Sequence, residues 1–217
     1  MIPEVMCAAI HTNTPVKKGE QIAGTRAIPL VILREKLNQA LEIARSNAPI
    51  FKVAPFKHLT ARMIITGSEV YDGLIEDKFE AIVKKKVEAL GSCLAETIIL
   101  PDDRQKISST INSFLGKETD ILITTGGMSV DPDDVTRHAI QDAGADPIYY
   151  SAAALPGAMF QLAYCGKVPI IGIPACGLFH EATVFDIIFP RLLAGERPDD
   201  KDLARLAHGG LCLDCDT

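Results

Sequence analysis

The chain has 217 residues, 47% hydrophobic and 23% charged, with a net charge of −6, which allows one full α/β domain plus a smaller piece. With no Trp and only 6% aromatics, it lacks both the stacking surface and the basic field of a nucleic-acid binder, so an anionic ligand must be held by local amides and a few side chains. No apolar run reaches membrane-span length and "MIPEVMCAAIHTNTP" has no signal-peptide pattern, so a soluble cytoplasmic protein with its six cysteines mostly reduced is expected.

Residues 1–58 are irregular. Short β-like runs in "EVMCAAIHTN" and "VKKGEQIAGTRAIPLVI" precede "LREKLNQALEIARSNAP", where Leu37, Leu41 and Ala44 recur near helical spacing. This segment is expected to be an arm or a fragment of a larger region. Regular alternation begins near Arg62. "ARMIITG" reads as a strand and "DKFEAIVKKKVEALG" as a helix with Phe79, Ile82, Val83, Val87 and Leu90 inward and Gly91 as its stop. "AETIIL" and "DILITT" are strands that flank a helix in "DRQKISSTINSFLG". "PDDVTRHAIQDAG" reads as a helix capped by Asp131, with Pro132 in the first turn and Gly144 at the end. "DPIYY" and "KVPIIGIP" are further strands, and "LFHEATVFDIIF" a helix stopped at Pro190. This alternation predicts an α/β fold, a three-layer α/β/α sandwich on a mainly parallel sheet over residues 59–195, followed by a tail at 196–217.

In open α/β sheets ligands bind beyond the carboxyl ends of the strands. Gly67-Ser68-Glu69, Asp72 and Asp77 follow one strand, and Asp102-Asp103 another. Thr125, Gly126, Gly127, Ser129 and the aspartates 131, 133 and 134 follow a third, and Pro174-Ala175-Cys176-Gly177 a fourth. Each taken singly has a plainer reading. Glycines there serve turns, while Asp77, Asp131 and either Asp102 or Asp103 are placed to cap helices. Asp134 is harder to explain so, since Asp131 suffices as the cap. Convergence of small residues and acids at one sheet edge is the functional signal.

"TGSEVYDGLIED", "LPDD", "TTGGMSVDPDD", "LPGAM" and "IIGIPACG", in this order from about Pro55 to Gly195, resemble the molybdopterin-binding domain of molybdenum-cofactor biosynthesis proteins, of the type shared by molybdopterin molybdotransferases and the gephyrin C-terminal domain. The resemblance implies a small-molecule pterin or nucleotide ligand: molybdopterin, free or adenylylated, with molybdate inserted into it and Mg2+ assisting. By that likeness Thr66, Gly67 and Glu69 form the first ligand loop, and Asp102 is a further cofactor-binding residue. Thr125, Gly126, Gly127 and Ser129 form the glycine-rich loop, and Pro156-Gly157 and Gly172-x-Pro174 complete the binding edge. Asp77 and Asp134 are the implied catalytic and metal-binding acids. Assembly as a dimer or trimer, and molybdoenzyme or cofactor-pathway partners, are implied as well.

This chain departs from the family pattern at Ala158, where a lysine is usual, at Phe79 in place of an asparagine, and at Asp131 in place of a glycine. Cys176 and Gly177 likewise stand where an asparagine and a proline are usual. Three function classes are therefore carried: molybdate insertion, a non-catalytic pterin- or nucleotide-binding regulator or chaperone, and a nucleotide-type hydrolase or amidase on the same fold. Cys176 at the crevice reads as a reactive thiol or, more simply, as a small buried residue. Cys212 and Cys215 form a CxxC near His208, which is half a metal site in what is otherwise expected to be a loose tail.

Overall fold

The computed structural model describes residues 2–127 and 135–212. The chain divides into two units, Met1–Pro55 and Phe56–Thr217. In the first, β1 (Val5–Ala9) and β2 (Ala23–Ala27) pair antiparallel with Cys7 opposite Thr25, and α1 (Arg34–Ser46) follows. None of its described residues is buried, and Leu37 and Leu41 are each 42% exposed. A single hairpin and one helix offer too little apolar surface to cover each other. An open groove of 510 Å³ along β1 and β2 is lined by no acid, histidine or cysteine.

The second unit is built on six strands. These are β3 (Thr60–Thr66), β4 (Cys93–Leu100), β5 (Ile121–Thr125), β6 (Ile148–Tyr150), β7 (Gln161–Cys165) and β8 (Val168–Ile173), in the order β4-β3-β5-β8-β7-β6. The β3–β4, β3–β5 and β5–β8 pairs are parallel, while β7 runs antiparallel to both neighbours. The helices are α2 (Ser68–Tyr71), α3 (Phe79–Ala89), α4 (Arg104–Leu115), α5 (Val135–Asp142), α6 (Val184–Leu193) and α7 (Asp200–Arg205). Successive strand residues point to opposite faces, and the core splits accordingly. Met63, Ile65, Ile123 and Ile171 meet Val83 and Val87 of α3 and Phe185, Ile188 and Phe189 of α6. Ile64, Leu122 and Ile170 meet Ile107, Ile111 and Phe114 of α4 and Ala139 and Ile140 of α5. The expected three layers and mostly parallel sheet are present.

Two elements differ from the sequence expectation. β7 was not foreseen, although its two-residue turn Gly166-Lys167 into β8, with Gly166 at φ +60, is an ordinary tight hairpin. The helix expected over "LFHEATVFDIIF" starts only at Val184, because the Thr183 N–H donates to the Asp186 carboxylate at 2.8 Å, and a 3-10 turn (Ala175–Leu178) precedes it. It also runs through Pro190 instead of stopping there. Proline costs that turn one hydrogen bond, yet Phe185, Ile188, Phe189, Pro190, Leu192 and Leu193 are all buried, and their burial outweighs the loss.

Residues 196–212 pack as part of the second unit. The Asp199 side chain caps α7, Leu203 is buried, and the Tyr164 hydroxyl donates to the Pro198 carbonyl at 2.8 Å. Burial pushes the Tyr164 pKa up to about 12, and the Arg197 guanidinium lies 3.8 Å from its ring centroid. Tyr164→Phe orphans a carbonyl and is expected to cost about 1–2 kcal/mol, read as a lower urea midpoint with an unchanged slope. Through residue 212 the expected loose tail is hydrogen-bonded to Leu155: the Leu155 N–H donates to Gly210 O at 2.7 Å and the Cys212 N–H to Leu155 O at 2.9 Å. Cys215, the other half of the CxxC, lies outside the described residues.

Candidate functional site

Because β3, β4, β5 and β8 are parallel and adjacent, their carboxyl ends share one edge. At that edge β3 and β5 are joined closely. The Thr66 hydroxyl donates to the Thr125 carbonyl at 3.1 Å and lies 3.0 Å from the Thr136 hydroxyl of α5, with all three residues buried. Gly126 follows at φ +81, and a Cβ there would sit 1.9 Å from the Thr66 carbonyl oxygen. Only glycine permits this approach. Gly127 continues at φ +54. Two successive positive-φ residues turn the chain sharply after the strand, the setting in which backbone N–H groups become available to an anion.

The next loop is tied to β4. Gly67, at φ +146, donates its N–H to Leu100 O at 3.2 Å and opens α2. Asp102 accepts from the Ser68 N–H at 2.9 Å and the Ser68 hydroxyl at 3.1 Å. Asp103 is the acid that caps α4, accepting from the N–H groups of Gln105 and Lys106. The two aspartates thus divide their work, one holding a helix and the other a crevice loop. Glu69 is exposed on α2, and its carbonyl accepts from the Leu74 and Ile75 N–H groups.

Asp77 serves the start of α3. One carboxylate oxygen accepts the Phe79 N–H and the other the Glu80 N–H, both at 3.0 Å. Phe79 in turn lies beside Gly177 in the turn after β8, 3.6 Å from where a Cβ of Gly177 would stand. The Pro174 carbonyl closes that turn by accepting the Gly177 N–H at 2.9 Å. Cys176 is half-buried, and burial pushes its thiol up despite backbone hydrogen bonds, so it is less readily deprotonated than an ordinary thiol.

Pro156-Gly157 is placed against α6. A Cβ on Gly157, whose φ is +118, would stand 2.8 Å from Val184 Cγ2. Gly172, one residue before the end of β8, lies in register with Thr124 on one side and Gln161 on the other. Ser129 and Asp134, together with the expected cap Asp131, lie outside the described residues. Among the described residues no group of three or more His, Cys, Asp or Glu side chains is gathered as a metal ion would need. Two polar side chains at this edge are fully buried and have no partner: the Thr125 hydroxyl, and both polar atoms of Gln161. Each such group carries an uncompensated desolvation cost of roughly 1–3 kcal/mol.

Residues 62–194 match the family model described as a probable molybdopterin binding domain. The chain belongs to the molybdopterin-binding domain family. This molybdopterin-binding domain is 32% identical over 84 residues to a CinA-like protein of Pseudothermotoga lettingae, covering 39% of this chain and 20% of that relative. It is 22% identical over 162 residues to the molybdopterin molybdenumtransferase of Synechococcus elongatus, covering 69% of this chain and 40% of that relative. Its fold is similar to that of the molybdopterin biosynthesis enzyme MoaB of Thermus thermophilus, with a TM-score of 0.52 at 16% identity, covering 64% of this chain and 98% of that one.

Within the family frame, Thr66, Gly67, Asp102, Thr125, Gly126 and Gly127 gather at one place, while Asp77 and Pro174 meet around the Phe79–Gly177 contact. Thr136 and Gln161 were missed by sequence reasoning. Thr136 carried no signal, since a threonine inside a helix is usually a surface residue. Gln161 did carry one, as the lone amide in the apolar run "MFQLAYC". Among the described residues no helix is long and apolar enough to cross a membrane.

Proposed function

We propose that this molybdopterin-binding domain holds molybdopterin, free or adenylylated, at the carboxyl edge of β3, β4, β5 and β8. The carrying observation is the Thr125 hydroxyl, which is buried without a partner beside two successive positive-φ glycines. A phosphorylated pterin suits that setting, because the hydroxyl donates to an anionic oxygen and the turn offers backbone N–H groups. Residues 59–195 carry this edge, and the domain acts in the cytoplasm, where cofactor assembly takes place.

The test is titration calorimetry of wild type and Thr125→Val with molybdopterin. Wild type binds, and the near-isosteric valine weakens binding by about tenfold or more, the worth of a hydrogen bond to a charged group. The unfolding midpoint without ligand stays level or rises, since an orphaned hydroxyl is removed. Absence of wild-type binding overturns the reading.

Molybdate insertion with Mg2+, with Asp77 and Asp134 as its acids, is the enzymatic form of this proposal. Both Asp77 oxygens accept amide hydrogens at the start of α3, which gives this acid a helix-capping role. That engagement supports the second reading, a domain that binds the pterin without transforming it. Rescue of a strain lacking molybdate insertion supports the enzymatic form, and failure of rescue despite measured binding supports the binder.

A further inference from the structure

β7 runs antiparallel to β6 and β8, with Gln161 opposite both Tyr150 and Gly172, so residues 151–160 cross beyond the carboxyl end of β8. Packing fixes the side of the sheet on which they do so. Thr125 stands on one rung with Ile65 and Ile173. Those two share a core with Ala152, Ala154 and Phe160 of the crossing and with Val184 and Phe185 of α6. Residues on one rung project from the same face, so the Thr125 hydroxyl and the crossing lie on the same side of the same edge. Within the crossing Gly157 abuts the start of α6, where an added Cβ would stand 2.8 Å from Val184 Cγ2 and 3.0 Å from the Val184 nitrogen.

On its other side the crossing is held by the chain that includes and follows α7. The Ala153 N–H donates to Leu203 O at 3.3 Å, the Leu155 N–H to Gly210 O at 2.7 Å, and the Cys212 N–H to Leu155 O at 2.9 Å. Leu155 and Leu211 thereby form a parallel bridge. Side chains anchor this stretch weakly: Ala152 and Ala154 are buried but small, whereas Leu155 is 57% and Leu211 64% exposed. Gly210 sets the approach. A Cβ there would run into the Leu206 and Ala153 carbonyl oxygens, the second at 2.6 Å, and would stand 3.1 Å from Ala154 Cα. All three obstacles are backbone, so none can turn aside. Close approach, and not a left-handed φ, requires glycine at this position. Gly209 is the reverse case, with φ +86 and nothing within 4 Å of an added Cβ.

A ligand that meets a loop already in place does not have to order it, and affinity falls in proportion to the population of the competent arrangement. We propose that Gly210 is a positioning residue of the binding edge: it lets residues 210–212 lie along Leu155, and this pairing holds residues 155–157 in the arrangement that the phosphorylated pterin meets. This rests on the reading that the edge binds such a ligand, and it adds that the segment after α7 sets the affinity.

The test compares wild type, Gly210→Ala and Gly209→Ala by titration calorimetry with molybdopterin, well below their unfolding midpoints, and by hydrogen exchange at the Cys212 amide. Gly210→Ala is expected to bind about tenfold more weakly or worse, whereas Gly209→Ala stays within about twofold of wild type. Linkage is reciprocal, so saturating molybdopterin is expected to slow exchange of the wild-type Cys212 amide, whose partner is the Leu155 carbonyl, by about tenfold or more. A purely structural role would give no such ligand dependence. Exchange unchanged by bound molybdopterin overturns the role of Gly210, and that result is read on wild type even where Gly210→Ala fails to fold. Unchanged affinity of folded Gly210→Ala, or equal weakening by Gly209→Ala, also overturns that role alone. Failure of wild type to bind molybdopterin overturns it together with the reading it rests on.

Discussion

Gly126→Ala is expected to lower stability by roughly 3–5 kcal/mol and the thermal midpoint by about 10 °C. Two costs add at this position. At φ +81 an L-residue is strained by itself, and the new methyl would lie 1.9 Å from the Thr66 carbonyl oxygen and 2.8 Å from the Thr66 hydroxyl. Relief requires β3 and β5 to separate at the edge that carries Thr66 and Thr125, so pterin binding is expected to fall with stability. Gly144→Ala is the control. Gly144 has φ +87 but nothing within 4 Å of the added Cβ, so only the conformational cost of about 1 kcal/mol remains. Equal midpoints for the two variants would mean that the β3–β5 approach carries no constraint.

Arg191→Met is the second large effect, about 2–3 kcal/mol at neutral pH. Arg191 lies in the last turn of α6, with its side chain only 12% exposed. Its Nε donates to Glu196 at 2.7 Å and its Nη2 to Asp202 at 2.9 Å. Asp202 also accepts the Asp199 N–H at 3.1 Å, so one carboxylate joins α6 to the first turn of α7. Methionine keeps the aliphatic stem but leaves that carboxylate part-buried beside no guanidinium from α6.

The pH dependence separates this effect from lost packing. Burial pushes the Asp202 carboxyl up, but the Arg191 hydrogen bond and the Asp199 amide pull it down further, and its pKa lies below the ordinary value. A depressed carboxyl contributes stability that is present above its unfolded pKa of about 4 and is lost as pH falls through the folded value. The gap between wild type and Arg191→Met is therefore expected to be full at pH 7 and to narrow below pH 4 in urea unfolding. A gap that stays constant into acid would assign the loss to packing instead.

Much of the second unit was legible because its elements are periodic. Strand β3 alternates Met63 and Ile65 against Ile64, and α4 repeats Ile107, Ile111 and Phe114, so each element announced both its type and its inner face. The failures occurred where tertiary burial overrode a local rule. Pro190 reads as a stop but sits in a helix where it is buried together with Phe185, Ile188, Phe189, Leu192 and Leu193. β7 reads as an interrupted apolar run, because its first residue is a buried amide. At the site, the acids were visible but their uses were not. Asp102 and Asp103 are equivalent as sequence, and only the arrival of Ser68 beside the end of β4 separates their roles.

By itself the sequence determined the types of the periodic elements, the glycines that must turn after strands, and the family signature running from "TGSEV" to "GIPACG". These are local properties, set by side-chain spacing, backbone freedom and residue chemistry within a few positions. The tertiary structure alone decided that Gly126 closes on Thr66, that Asp77 caps α3 with both oxygens, and that Thr125 and Gln161 are left unmet at the carboxyl edge of the parallel strands. Strand order brings residues 59 apart, such as Thr66 and Thr125, into hydrogen-bond contact, and no local pattern encodes which polar atoms that closure leaves without a partner.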